Sequence, residues 1–112
     1  MIDKRIERRS AASRDIRLAA AFYVDRGGER LARRFADSVD TAIRRVARHP
    51  AAGSPRYEEL TKIAGLRSRQ LRQFPYLVFY IEHPDHIEVL RVLHAERDLM
   101  AELSDADDEP EG

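Results

Sequence analysis

The stretch RQFPYLVFYIE, residues 72–82, holds four of the chain's eight aromatic residues: Phe74, Tyr76, Phe79 and Tyr80. A basic run, GLRSRQLR (65–72), leads into it, and a second apolar run, HIEVLRVLH (86–94), follows. The pattern predicts three strands, over 65–73, 76–82 and 87–94. Phe74-Pro75 forms the first connection and His83-Pro84-Asp85-His86 the second, both short enough for antiparallel hairpins. YLVFYIE is apolar on both faces. Helices are therefore expected over one side, and the C-terminal segment or a partner over the other.

Upstream, Ile2, Arg5, Ile6 and Arg9 mix apolar and basic residues, as in an edge strand. Ser13 is an N-cap candidate, with Asp15 in the first helical turn. Ile16, Ala20, Tyr23 and Val24 recur at helical spacing until Gly27-Gly28. A second helix is expected from about Glu29, with Leu31, Phe35, Val39, Ala42, Ile43 and Val46 as its apolar stripe and Pro50 as its stop. PAAGSPRYEEL (50–60) reads as a loop and ERDLMAEL (96–103) as a short helix. The order β-α-α-β-β-β-α predicts an α+β fold, a helical hairpin packed on an antiparallel sheet. Residues 1–103 form the expected domain, and 104–112 an acidic tail expected to be disordered.

A chain of 112 residues accommodates one core, and 43% hydrophobic residues are enough to fill it. Without cysteine there is no disulfide scaffold, thiolate metal site or cysteine nucleophile. No membrane-length apolar run and no signal-peptide core is visible, so a soluble cytoplasmic protein is expected. The net charge of zero hides an asymmetry. Removing the acidic segment from Glu102 onward leaves 20 Lys+Arg against 14 Asp+Glu, a body charge of +6. Eighteen of the cations are arginine, whose planar fork suits carboxylates and phosphates.

Little in the residues points to catalysis. His49, His83 and His86 occupy cap or turn positions, and three or four converging metal ligands are not evident. His94 ends a strand close to Arg97-Asp98. It reads either as a general acid–base or as a polar strand end bonded to Asp98, and its neighbours favour the second. Arg67 and Arg69 share one strand face, Arg91 interrupts the last strand and Arg97 follows it. Together they line a basic surface for RNA phosphates or an acidic protein tail, or each caps a solvated edge. There is no Gly-rich phosphate loop, Ser-His-Asp set or carboxylate pair.

The run from AASRDIRLAAAFYVDRGGERLARRFADSVDTAIRRVARHPAAGSPRY to GLRSRQLRQFPYLVFYIEHPDHIEVLRVLHAERDL resembles the RelE/ParE superfamily of bacterial type II toxins, from Ile2 to about Leu99. The most specific parts are HPAAG, GLR, FPYLVFY and VLRVLHAERD, in that order. RelE-type members cleave mRNA in the ribosome with a cluster of lysines and arginines and a C-terminal tyrosine. At the matching positions this chain has Ser68, Gln70, Leu77, Ala95 and Ala101, and only Arg97 is retained. Those side chains neither move a proton at neutral pH nor neutralise a phosphate.

FPY and the His94-x-x-Arg97-Asp98 pattern look more like the ParE branch. That resemblance implies a non-enzymatic toxin, without cofactor or metal, that binds DNA gyrase and blocks it with cleaved DNA trapped. It also implies a ParD-type antitoxin whose acidic, amphipathic C-terminal segment wraps the toxin and whose N-terminal domain alone binds operator DNA. The antitoxin contacts expected are Tyr23, Phe35, Phe74 and Tyr76, with Arg67, Arg69 and Arg91 pairing its carboxylates. His94 and Arg97 are the candidates for gyrase. The alternatives are a RelE-type mRNA endonuclease and a non-toxic antitoxin-binding remnant.

Overall fold

The computed structural model describes residues 4–97 and 99–108, with side chains as far as Leu103. Strand β1 (Arg5–Arg8) leads into α1 (Ser10–Arg48), a 3-10 turn (Pro50–Ala52) and α2 (Arg56–Thr61). Strands β2 (Leu66–Gln70), β3 (Tyr76–Glu82) and β4 (His86–His94) follow, and then α3 (Leu99–Asp108). The sheet order is β1-β4-β3-β2, so the three-strand meander reads on and β1 adds at its far edge.

The span of α1 is two helical limbs. Gly27 (φ −153°, ψ 16°) and Gly28 (φ 79°, ψ −176°) leave helical geometry, and Gly28 occupies the left-handed region that an L side chain disfavours. The rings of Tyr23 and Phe35 stand 5.2 Å apart. On an unbroken helix their Cα atoms would be separated by about 18 Å. The chain therefore folds back, as the Gly-Gly pair predicts.

The helix begins earlier than expected. Arg9 is its N-cap and Ser13 lies inside, its N–H donating to Arg9 O at 3.1 Å. The expected capping role of Ser13 is thereby replaced by an ordinary helical bond. At the other end His49 is the C-cap, its N–H bonded to Arg45 O at 2.9 Å.

The sheet is mixed rather than antiparallel. β1 runs parallel to β4, pairing Arg5 with His86 and Arg8 with Val89, and the helices and two strands between them in sequence supply the long crossover that a parallel pair needs. Ile2 of the expected edge strand lies outside the described residues. The segment read as a loop contains the 3-10 turn and α2, since Pro50 and Pro55 open short helical turns rather than only ending one. α3 starts at Leu99 and its backbone continues to Asp108, past the domain boundary expected at 103.

Two apolar layers sandwich the sheet. Towards α1, Tyr76, Val78 and Tyr80 of β3 and Ile87, Val89 and Val92 of β4 meet Phe35, Val39, Ala42 and Val46. On the opposite face, Leu66, Phe79, Leu90 and Leu93 meet Ile63, Leu99 and Leu103, with Tyr57 of α2 packed against them. The two-sided apolarity of β3 is thus satisfied within the chain, by α2 and α3. A register shift at Phe79/Tyr80 sets Phe79 against Arg91 and Tyr80 against Val89. Leu90 is the extra residue there, so the period of β4 is displaced: Val89 and Val92, three apart, both serve the layer under α1, while Leu90 and Leu93 serve the other.

One close approach fixes the 3-10 turn on the sheet. Tyr80 Oη donates to Pro50 O at 2.6 Å, and a Cβ on Gly53 would come within 2.0 Å of that hydroxyl. The glycine of HPAAG is there because the Tyr80 ring occupies the space of a side chain.

Candidate functional site

The four aromatic residues expected at a partner surface are brought together, but largely as core. Phe35, Phe74 and Tyr76 are buried, and Tyr23 is half-buried. Tyr23 reaches Phe74 at 5.1 Å, and Phe35 reaches Tyr76 at 5.1 Å, both edge-on. Burial raises the hydroxyl pKa of Tyr23 and of Tyr76. The large apolar side chains presented on this helix are others: Leu18 is 64% exposed, Phe22 46% and Val24 44%. Of the four residues that recur at helical spacing, Ile16, Ala20 and Tyr23 pack against the core and Val24 does not. The i, i+4 spacing of Leu18 and Phe22 was the available signal for a second, outward stripe.

The three strand arginines have separate environments. Arg67 Nη1 donates to Gly53 O at 3.0 Å and Ala51 O at 3.3 Å, tying β2 to the 3-10 turn. Arg69 opens into a groove of about 650 Å³ between the second limb of α1 and β2, together with Arg34, Arg45 and Arg72. Arg91 is buried, with 6% of its surface exposed. Its Nε and Nη2 grip Asp15 Oδ2 and Oδ1 at 2.7 and 2.9 Å, a bidentate pair. Nη1 donates to Glu102 O at 2.9 Å and Nη2 to Glu102 Oε2 at 3.1 Å. The hydrogen bond to Asp15 raises the Arg91 pKa against the opposing effect of burial. Asp15 also accepts the N–H of Val92 at 3.0 Å. One carboxylate therefore caps the edge of β4 where its pairing with β1 has ended.

His94 and Arg97 belong to a second groove, about 590 Å³, between the first limb of α1 and the end of β4. Leu18, Phe22 and Arg14 form its helical wall, and Tyr76 part of its floor. The His94 ring lies 5.1 Å from that of Tyr76 and its Nδ1 accepts the N–H of Glu96 at 3.1 Å. Asp98, the partner expected for His94, lies outside the described residues. Arg97 is exposed.

The positions corresponding to the RNA-cleaving branch fall mostly on the face covered by α2 and α3. Ser68 pairs with Phe79 and Gln70 with Leu77 across the ladder, so these four share that face. Ser68 is buried and Leu77 packs on the second apolar layer. At the hairpin turn, the rings of His83 and His86 stack at 4.4 Å, and each has a carboxylate at hand: Glu88 Oε1 is 2.8 Å from His83 Nε2, and Asp85 Oδ1 is 2.7 Å from His86 Nδ1. Among the described residues no group of three His, Asp or Glu converges as a metal site would require.

No curated protein matches the chain. A solved structure, the chromosomal ParDE TA system from P. aeruginosa, contains a chain of the same fold, with a TM-score of 0.72 at 18% identity over 83% of this chain and 97% of that one. The family model described as the ParE toxin of the type II toxin-antitoxin system parDE matches residues 6–99. That span runs from β1 through the hairpin and the whole sheet to the first residue of α3, and the chain belongs to the ParE toxin family.

Proposed function

We propose that this toxin acts in the cytoplasm by binding DNA gyrase and holding it with cleaved DNA trapped, without catalysing a reaction of its own. A ParD-type antitoxin neutralises it and carries the operator-binding domain. The observation that supports binding over RNA cleavage is the face bearing Ser68 and Leu77. It is an apolar seat for α2 and α3, whereas a ribonuclease of this fold needs cations and a proton-transfer group there. Leu77 and Phe79 hold Tyr57, Leu99 and Leu103 instead.

The second groove is the proposed gyrase contact, through His94 and Arg97, with the exposed Leu18 and Phe22 as apolar anchors. Antitoxin contact is proposed for Arg69 and the exposed edge of Tyr23. Phe35, Phe74 and Tyr76 act behind that surface as its support. Arg67 and Arg91 already bond within the chain, so an antitoxin carboxylate reaches them only by adding to those networks or displacing them. The test sets two assays side by side with the purified chain. Inhibition of plasmid supercoiling by gyrase, with mRNA left intact on ribosomes, is the expected result. Ribosome-dependent mRNA cleavage with gyrase unaffected contradicts it.

A further inference from the structure

The two grooves flank the same helical hairpin but differ in chemistry. The second is in charge balance, with Arg14, Arg91 and Arg97 against Asp15, Glu96 and Glu102, and the exposed Leu18 and Phe22 border it. The groove between α1 and β2 carries Arg34, Arg45, Arg69 and Arg72 against the single acid Asp37, four charges less one, a net +3. Among the described residues no carboxylate pairs with these four guanidinium groups and no hydrogen bond uses them. The bonds at Arg45 and Arg72 engage their backbone carbonyls, with His49 N–H and Ser38 Oγ as the donors. By contrast, Arg5, Arg8, Arg9 and Arg91 pair with carboxylates of the chain.

Arg69 lies opposite Val78 in the ladder, and Val78 belongs to the layer under α1, so Arg69 faces the helix. Arg34 and Arg45 stand three helical turns apart on the second limb of α1, about 16 Å. One strand of a B-form duplex rises that far over about five nucleotides. Thr41 and Gln70, which also line the groove, add uncharged donors of the kind that phosphate oxygens accept. Among the described residues no large apolar side chain lines it to anchor a protein, and no aromatic ring to stack a single-stranded base.

We infer that this groove holds the sugar-phosphate backbone of duplex DNA, with Arg34 and Arg45 towards its ends and Arg69 and Arg72 across from them, without reading base sequence. The inference rests on the reading of the chain as a gyrase-binding toxin and adds a second contact to the same complex. The second groove seats the enzyme, and this one seats the DNA that the enzyme has cleaved. Arg69 is also proposed for the antitoxin, so antitoxin and DNA exclude one another here.

The test is the fluorescence anisotropy of a labelled duplex of about 20 base pairs, titrated with the purified chain between about 50 and 200 mM salt. Saturable binding is expected, equal for duplexes of different sequence. Its affinity should fall with salt on a log–log slope of about 3 to 4, as four phosphate contacts require. Arg45→Gln combined with Arg69→Gln should cut that slope by about 2 and weaken binding at least about tenfold at the lower salt. Arg34→Gln with Arg72→Gln, both exposed, repeats the comparison, and each pair should melt at the wild-type temperature. Arg17→Gln with Arg26→Gln removes the same charge away from the groove and should weaken binding much less. Equal losses in groove and control variants, no binding at the lower salt, or tighter binding of a single strand or of sodium triphosphate than of the duplex would overturn the inference. Gyrase plays no part in this titration. Absent DNA binding with supercoiling still inhibited removes the groove assignment and leaves the gyrase reading standing. Duplex binding lost in the groove variants, with gyrase untouched by the chain, does the reverse.

Discussion

At the scale of single residues, Gly53 and Arg91 carry consequences that no propensity scale contains. A methyl group at Gly53 collides with the Tyr80 hydroxyl at 2.0 Å and with Cζ at 2.8 Å. Gly53→Ala should destabilise the protein by about 1–3 kcal/mol in urea unfolding. Tyr80→Phe loses only the bond to Pro50 O, about 1 kcal/mol, and in its background Gly53→Ala should cost less than in the wild type. Arg91→Ala leaves Asp15 without its bidentate partner and should destabilise by about 3–5 kcal/mol. Replacing both members by apolar residues of similar volume should recover much of that loss, which a thermal melt of the double variant would read. In the sequence Arg91 was visible only as an interruption of an apolar strand. Its partners lie 76 positions upstream and 11 downstream, so its burial was not legible there.

At the scale of elements, the helix break and the central strand were legible because their signals are local. Two glycines and a period of 3.6 residues need no tertiary information. The direction of β1 does need it. Four residues, RIER, specify a strand but not whether they run with or against β4, and the long connection between the two allows either direction. Gly28→Ala meets no neighbouring atom but must hold φ 79°, so it should cost about 1–2 kcal/mol without changing the helical signal in circular dichroism. The β1–β4 seam adds a pH dependence. Burial acts to raise the Glu88 pKa, but hydrogen bonds from His83 and Arg9 and the Arg9 charge outweigh it and hold the value below its ordinary 4.5. A lowered carboxylate pKa contributes stability that is complete above the ordinary range and lost as pH falls through the folded value. The stability gap between wild type and Glu88→Gln should therefore be widest near neutrality and close at acid pH in chemical denaturation.

At the scale of the whole molecule, the described residues of the α1, sheet and α2–α3 sandwich border a basic groove and a second one edged by apolar side chains. The aromatic cluster that dominates residues 72–82 stabilises the scaffold between them. Sequence reasoning placed Arg69, His94 and Arg97 on grooves that the fold does form, but it also offered Phe35 and Phe74 to a partner although both are buried, and Tyr76 although it only floors the second groove. Aromatic residues are enriched in cores and interfaces alike, and only the packed fold separates the two. With gyrase contact proposed at the second groove, Arg97→Ala and Phe22→Ala should each weaken action on gyrase while leaving the melting temperature nearly unchanged. The most direct measurement is gyrase with supercoiled plasmid and this chain, stopped with detergent and resolved on a gel. Linear DNA should accumulate with increasing toxin and disappear when gyrase is omitted; undiminished supercoiling with no linear product at saturating toxin would contradict the account.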